Sequence, residues 1–226
     1  MLFAWSDGAA AQPPDCGGFL VALVPAEPGS AMQIDADRLD SIPASWVADD
    51  FDRHREAGGG RRMGLDTAEG LFYYEMGVLR DAEKAGGQML AWIAGYVQHS
   101  ELKRTLCEEE KASGRQSENI LMCMRALGAA PLETPSTTIE GIRKRLEQFI
   151  ALQPARDVLD LFALGTAIRF MYFAITSYQS LVDWTSVMGE TECVKYLQTN
   201  LAQKEQGVEA LERISHQLSR EMLTPA

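Results

Sequence analysis

Basic residues are scarce in this chain. It has 21 lysines and arginines against 32 aspartates and glutamates in 226 residues, a formal charge of −11. A protein that grips a phosphate backbone needs a basic footprint, so binding to nucleic acid is not expected. Cysteine is also sparse. Cys16, Cys107, Cys123 and Cys193 include no C-x-x-C pair, and His54, His99 and His216 stand near none of them in sequence. That spacing argues against a zinc knuckle and a dense disulfide framework, and fits reduced thiols in the cytoplasm. No lysine or arginine precedes Arg38, so the basic start of a secretory signal is missing, and the apolar run at residues 19–24 is too short to span a bilayer. There is no G-x-S-x-G, no Walker A and no G-x-G-x-x-G. Met122, Cys123 and Met124 form the one soft run, and they point different ways on a helix, as core residues do.

What is present divides near residue 65. Residues 1–65 are punctuated by Pro13-Pro14, Gly17-Gly18, Pro25, Pro28-Gly29, Pro43 and the Gly58-Gly59-Gly60 run. They predict a small irregular or mixed segment: a strand at 19–24, a short piece around 46–51, and a glycine linker. Residues 42–47 faintly match one strand of a small PRC-type barrel. Residues 66–223 change character, with glycine and proline thinned out and apolar residues at helical spacing. Asp66-Thr67-Ala68-Glu69 reads as a capping box that opens a helix to about Val97. Ser100 caps a second helix ending at Gly128, a short helix covers 139–152, Pro154 opens a fourth that ends at Gly189, and a fifth runs from Glu190 to about Met222. The short joints after helices one and four predict two antiparallel hairpins linked by one long crossover. That is the ferritin-like form of an all-α four-helix bundle.

A polar belt interrupts the apolar seams. In alternating steps of four and three, helix one reads Phe72, Met76, Leu79, Glu83, Gly86, Leu90, Ile93, Val97, and helix two reads Leu102, Leu106, Glu109, Ser113, Gln116, Ile120, Cys123, Leu127. Antiparallel packing sets Glu83 against the middle of helix two. A carboxylate removed from water needs a ligand, a counter-charge or a shared proton.

Four stretches, "VLRDAEKAGGQML" (78–90), "SELKRTLCEEEKASGRQSENI" (100–120), "AITSYQSLVDWTSVMG" (174–189) and "YLQTNLAQKE" (196–205), resemble the YciE/YciF-type ferritin-like family over about two thirds of the chain. The resemblance implies a helical bundle, often dimeric and stress-associated, with a carboxylate-rich interior that binds iron or a similar metal. It maps Glu83 onto the family's first-helix glutamate, Glu109 onto a position usually His or Glu, and Ser113 and Gln116 onto a Thr and Gln pair. The later ligand positions land on Met171, Tyr172, Ala174 and Gln203. No Glu-x-x-His occurs in the chain, and helix four has no Asp or Glu between Leu161 and Val182, with Asp157, Asp160 and Asp183 at its ends.

A dinuclear centre takes about six protein ligands, about four of them carboxylates. Glu83 and Glu109 alone make a vestigial set, so no cofactor is expected. An iron-binding or oxidase-type protein with unorthodox ligands is the alternative. The expected counter-charge is Arg169, the one charge within the apolar stretch of helix four, helped by Tyr172 or Tyr178. Glu205, Glu209, Glu212 and His216 on helix five read as a solvated acidic face. Helix four is apolar nearly all round, and lacks the aromatic belts and basic flanks of a membrane span. Its second face is expected to be covered by another copy through Phe170 and Phe173, with the short helix or the N-terminal segment as the other possible cover. The function expected is a non-catalytic cytoplasmic bundle, a homodimer or a binder of a protein partner, with no membrane contact.

Overall fold

The structure is a computed structural model that describes residues 65–131 and 134–223. The strand at 19–24, the piece at 46–51, the barrel-like 42–47 and the glycine linker lie outside the described residues. Within them the chain forms α1 (Ala68–Tyr96), α2 (Ser100–Ala126), α3 (Thr137–Ala151), α4 (Arg156–Val187) and α5 (Thr191–Leu223).

Local chemistry sets the ends. Thr67 caps α1, its Oγ1 accepting from Gly70 N at 2.9 Å, one residue later than the capping-box pattern implies. His99, rather than Ser100, caps α2: its Nδ1 accepts from Leu102 N at 3.2 Å. α2 and α4 each close on a glycine in the left-handed region, Gly128 at φ 69 and Gly189 at φ 77. Both make the paired Schellman bonds, Ala129 N to Met124 O (2.9 Å) with Gly128 N to Arg125 O (3.0 Å), and Glu190 N to Thr185 O (3.2 Å) with Gly189 N to Ser186 O (3.1 Å). A side chain at either φ would strain the backbone, and the sharp stops turn each long helix back on its neighbour.

α1 packs along α2 and α4 along α5, and the hairpins meet through α2–α5 and α1–α4. Contacts at the two ends give the directions. Asp160, in the second turn of α4, accepts from Gln98 N (3.0 Å) and His99 N (2.9 Å) at the α1–α2 joint. Cys123 near the end of α2 meets Cys193 at the start of α5. Every neighbouring pair is therefore antiparallel, and the crossover through α3 carries the chain from one end of the bundle to the other. The helices form the expected ferritin-like bundle.

α3 lies outside the four, against α4 and α1. It buries Ile139 and Leu146 and stacks Phe149 on Phe162 of α4 at 3.8 Å between centroids. Ser136 N, just before it, donates to Asp81 Oδ2 at 2.7 Å. This resolves part of the α4 puzzle, because the short helix covers the flank of α4 around Phe162. By length and composition alone α4 could cross a membrane, and half of its most apolar window is buried inside the bundle.

Candidate functional site

The seams of α1 and α2 deliver what their spacing promised. Glu83, Ser113 and Gln116 are buried within an otherwise apolar core of Met76, Leu79, Leu90, Leu106 and Ile120, and Glu109 is half-buried beside them. α4 adds Phe170 and Tyr178. α5 adds Asn200 and Lys204, both fully buried.

Lys204 organises the centre. Its Nζ lies 2.9 Å from Glu83 Oε2, donates to Ser113 Oγ at 2.8 Å, and sits 4.5 Å over the ring of Phe170. One cation thus meets a carboxylate from α1, a hydroxyl from α2 and an aromatic face from α4, which is how a buried ammonium is made tolerable. Glu83 is held by this charge contact rather than by directional hydrogen bonds, since neither of its oxygens accepts one of good geometry. Two glycines make the room. A Cβ on Gly86 would fall 2.2 Å from the Phe170 ring, and a Cβ on Gly207 would fall 2.3 Å from Glu109 Oε1.

A neutral network extends the belt along the axis. Asn200 Nδ2 donates to Tyr178 Oη (3.2 Å) and to Gln116 O (3.1 Å), Asn119 Nδ2 donates to Asn200 Oδ1 (2.7 Å), and Gln116 Nε2 donates to Gln203 Oε1 (3.1 Å). Burial, reinforced by the neighbouring Glu83 carboxylate, pushes the Tyr178 phenol well above its usual range, so it stays protonated. Glu109 is raised from 4.5 by burial first; Lys204 pulls it down and Glu83 pushes it up. Its Oε2 is buried and without a hydrogen bond. Glu83 pairs directly with the ammonium, while Glu109 lies close enough to feel both charges, and its burial favours the neutral form relative to a carboxyl in water.

Three expectations are corrected. Arg169 does not enter the belt. It is exposed, with its guanidinium lying back over Gly165. Tyr172 is 46% exposed and donates to Glu212 Oε1 on α5 at 2.5 Å. Phe170 is fully buried against Gly86 and Lys204, so it is no surface anchor. Helical phase explains all three: with Phe170, Ala174 and Tyr178 inward at steps of four, positions 169 and 172 turn outward. Phe173 is half-buried on the flank, and Tyr178 and Glu83 are in the belt as expected.

Sequence reasoning missed Lys204. The signal was available, because α5 carries its own seam of Cys193, Leu197, Asn200, Lys204, Gly207, Leu211, Ile214 and Leu218. Tested the way α1 and α2 were, it places Asn200 and Lys204 inside.

The belt does not suit a pair of metal ions. The place between Glu83 and α5 holds an ammonium, and the second hairpin contributes a phenol, two amides and a lysine, with no carboxylate or imidazole. Among the described residues no three His, Cys, Asp or Glu side chains converge on a point that could hold a metal. Glu205, Glu209 and His216 are exposed on the outer side of α5.

Two antiparallel hairpins, a helical crossover and a four-helix polar centre define a ferritin-like bundle with an ion pair at its middle. The chain belongs to the DUF892 family, described as a domain of unknown function, which it matches over residues 67–224, and it is of the YciF type. Solved structures share the fold. The Escherichia coli stress protein YciF has 18% identity and a TM-score of 0.66, covering 69% of this chain and 99% of that one. YcfI, a putative structural protein from Rhodopseudomonas palustris, has 21% identity and a TM-score of 0.63 over 66% and 94%. A Xanthomonas campestris protein has 20% identity and a TM-score of 0.57 over 70% and 97%. No curated protein matches the chain.

Proposed function

We propose that this protein is a non-catalytic, metal-independent ferritin-like bundle that acts through its surface in the cytoplasm, associating with a second copy or with a protein partner, in stress physiology. The observation that carries this reading is the Lys204 ammonium, 2.9 Å from Glu83 in the middle of four helices. A fixed cation there takes the place beside Glu83 and ties α1, α2 and α4 to α5. The stress assignment leans on the likeness to the Escherichia coli stress protein YciF. Association leans on what α4 leaves outside: Tyr172 and Val158 exposed, with Leu161 and Phe173 half-buried. That strip is the proposed dimer face, with Tyr172 taking the anchoring place first given to Phe170.

The competing reading is iron binding by unorthodox ligands. It has one observation behind it, the buried Glu83 Oε1 and Glu109 Oε2 without hydrogen bonds. The test is to purify the protein with added ferrous iron, measure bound iron by elemental analysis, and measure mass in solution by light scattering. The proposal expects sub-stoichiometric iron and a mass near twice 24.9 kDa. Near-stoichiometric iron with an oxidation signal overturns metal independence, and a monomer that captures no partner overturns action by association.

A further inference from the structure

Away from the belt, Cys123 and Cys193 face each other across α2 and α5. Both are buried, 0% and 1% exposed, and both thiols are free. Their contacts are reciprocal: Cys123 Sγ donates to Cys193 O at 3.7 Å, and Cys193 Sγ donates to Cys123 O at 3.6 Å. Each side chain therefore points at the other residue's backbone, the face-to-face placement that a disulfide with Cβ atoms about 3.5–4.5 Å apart requires. Cys107 lies sixteen positions away in sequence, about 24 Å along α2, and does not compete for either sulfur.

Chain position gives the pair access to reagents despite its burial. Cys193 is in the first turn of α5, where backbone N–H groups lack partners inside the helix. The turn before it, from Val187 to Glu192, is exposed throughout. A helix start beside an exposed turn is where a bundle opens at least cost.

We propose that Cys123 and Cys193 are an oxidative cross-linking site: a two-electron oxidant of the peroxide class closes them into an intramolecular disulfide that staples the end of α2 to the start of α5. One sulfur, as thiolate, attacks a peroxide oxygen; the O–O bond breaks and the departing hydroxide takes a proton to become water. The second sulfur attacks the resulting sulfenic acid; the S–S bond forms, the S–O bond breaks, and a second water leaves. The two thiols lose two electrons and two protons, and the peroxide is reduced to two waters. Burial pushes both thiols up, Cys123 strongly, so cross-linking is slow in the closed bundle and proceeds as the α5 start opens. The site is independent of the metal question, and gives the bundle a response to oxidant.

The experiment uses the full chain treated with hydrogen peroxide, alkylated under denaturing conditions and mapped by mass spectrometry without reduction. The expected result is a peptide pair linking Cys123 to Cys193, two hydrogens lighter than the reduced peptides and separated by dithiothreitol. The cross-link closes a 70-residue loop between the hairpins, so the oxidised protein should melt higher by roughly 10 °C. Cys193→Ser should abolish both the linked peptide and the shift, with helical circular dichroism retained. Recovery of Cys123 and Cys193 as separately alkylated thiols, or as sulfinic or sulfonic acids without the linked peptide, overturns the proposal.

Discussion

Replacing Lys204 with methionine tests the centre of the bundle most directly. Methionine keeps most of the side-chain length and apolar stem and deletes the charge. Three contacts disappear together: the 2.9 Å pair with Glu83, the 2.8 Å bond to Ser113 and the 4.5 Å approach to Phe170. Their sum is not the cost, because an intact buried pair is nearly offset by its own desolvation. The cost lies in the orphan: Glu83, with no solvent exposure, is left as a bare carboxylate among methionine and leucine. Removing one partner of a buried pair costs about 3–5 kcal/mol, and for a domain of this size each kcal/mol moves the melting temperature by about 2–4 °C. Lys204→Met should therefore melt roughly 10–15 °C lower than the parent at neutral pH.

The sign of the pH dependence sharpens the test. With the ammonium gone, Glu83 can stay buried only by keeping a proton that the unfolded chain gives up at neutral pH. The variant's stability should fall as pH rises, and its deficit should be smallest near the ordinary carboxylate range. Thermal melts followed by circular dichroism across that range measure both quantities. Glu83→Gln and the double variant complete a cycle, and the double variant should lose less than the two single losses added. A lysine variant within about 1 kcal/mol of the parent at neutral pH, with an unchanged pH profile, would refute the ion pair as the organiser of the core.

Glu109→Gln addresses the surplus carboxylate. The folded protein raises Glu109, so its contribution to stability is complete below its ordinary value of 4.5 and is lost as pH rises through the raised one. The glutamine variant should lack that loss and gain on the parent toward neutrality in the same melts. The two glycines of the belt should respond oppositely to alanine. Gly86→Ala drives a Cβ into the fully buried Phe170 ring and should cost about 1–3 kcal/mol in urea unfolding, whereas Gly207→Ala meets only the end of the flexible Glu109 side chain. The latter should cost little or stabilise by up to about 1 kcal/mol through helix propensity, while flattening the pH dependence as Glu109 is expelled. Asp160→Ala removes the carboxylate that holds two backbone N–H groups at the α1–α2 joint, and should cost roughly 1.5–3 kcal/mol, read as a lower urea midpoint with an unchanged slope.

How far the chain could be read in advance depended on which residues broke its patterns. Glu83, Ser113 and Gln116 were legible because each interrupts a seam otherwise made of leucine, methionine and isoleucine, and antiparallel hairpins leave one level at which such interruptions meet. The topology was legible from joint lengths and from Gly128 and Gly189, whose positive φ closes a helix in a way few residues can. α4 defeated the same approach. With Leu161, Phe162, Leu164, Ile168, Phe170, Met171 and Phe173 in thirteen residues, it has no polar face from which to take its phase. Its one cation then looks central wherever the helix is rotated. The true phase is carried by small residues, Ala163, Ala167 and Ala174, which are buried because they let neighbouring helices approach. Lys204 was passed over for the opposite reason. Among Lys195, Glu205, Glu209 and Arg213 it reads as one more charge on a solvated helix, until the seam through Leu197 and Leu211 is drawn.

That lysine changes what the bundle can be. Four carboxylates and two divalent cations make a centre that can be filled, emptied and oxidised. Two carboxylates and one ammonium make a centre whose charge is covalently attached and cannot leave. The arithmetic leaves one negative charge over, and the chain accommodates it locally: Gly207 opens a niche for the Glu109 carboxylate, and burial there favours a proton in place of a second cation. Tyr178 and Asn200 continue the line with groups that bond without charge. A polar core of this kind fixes register, because sliding α5 by one turn would bury Lys204 against leucine and strand Glu83. The polar residues at the centre are thus bound to one another across four helices.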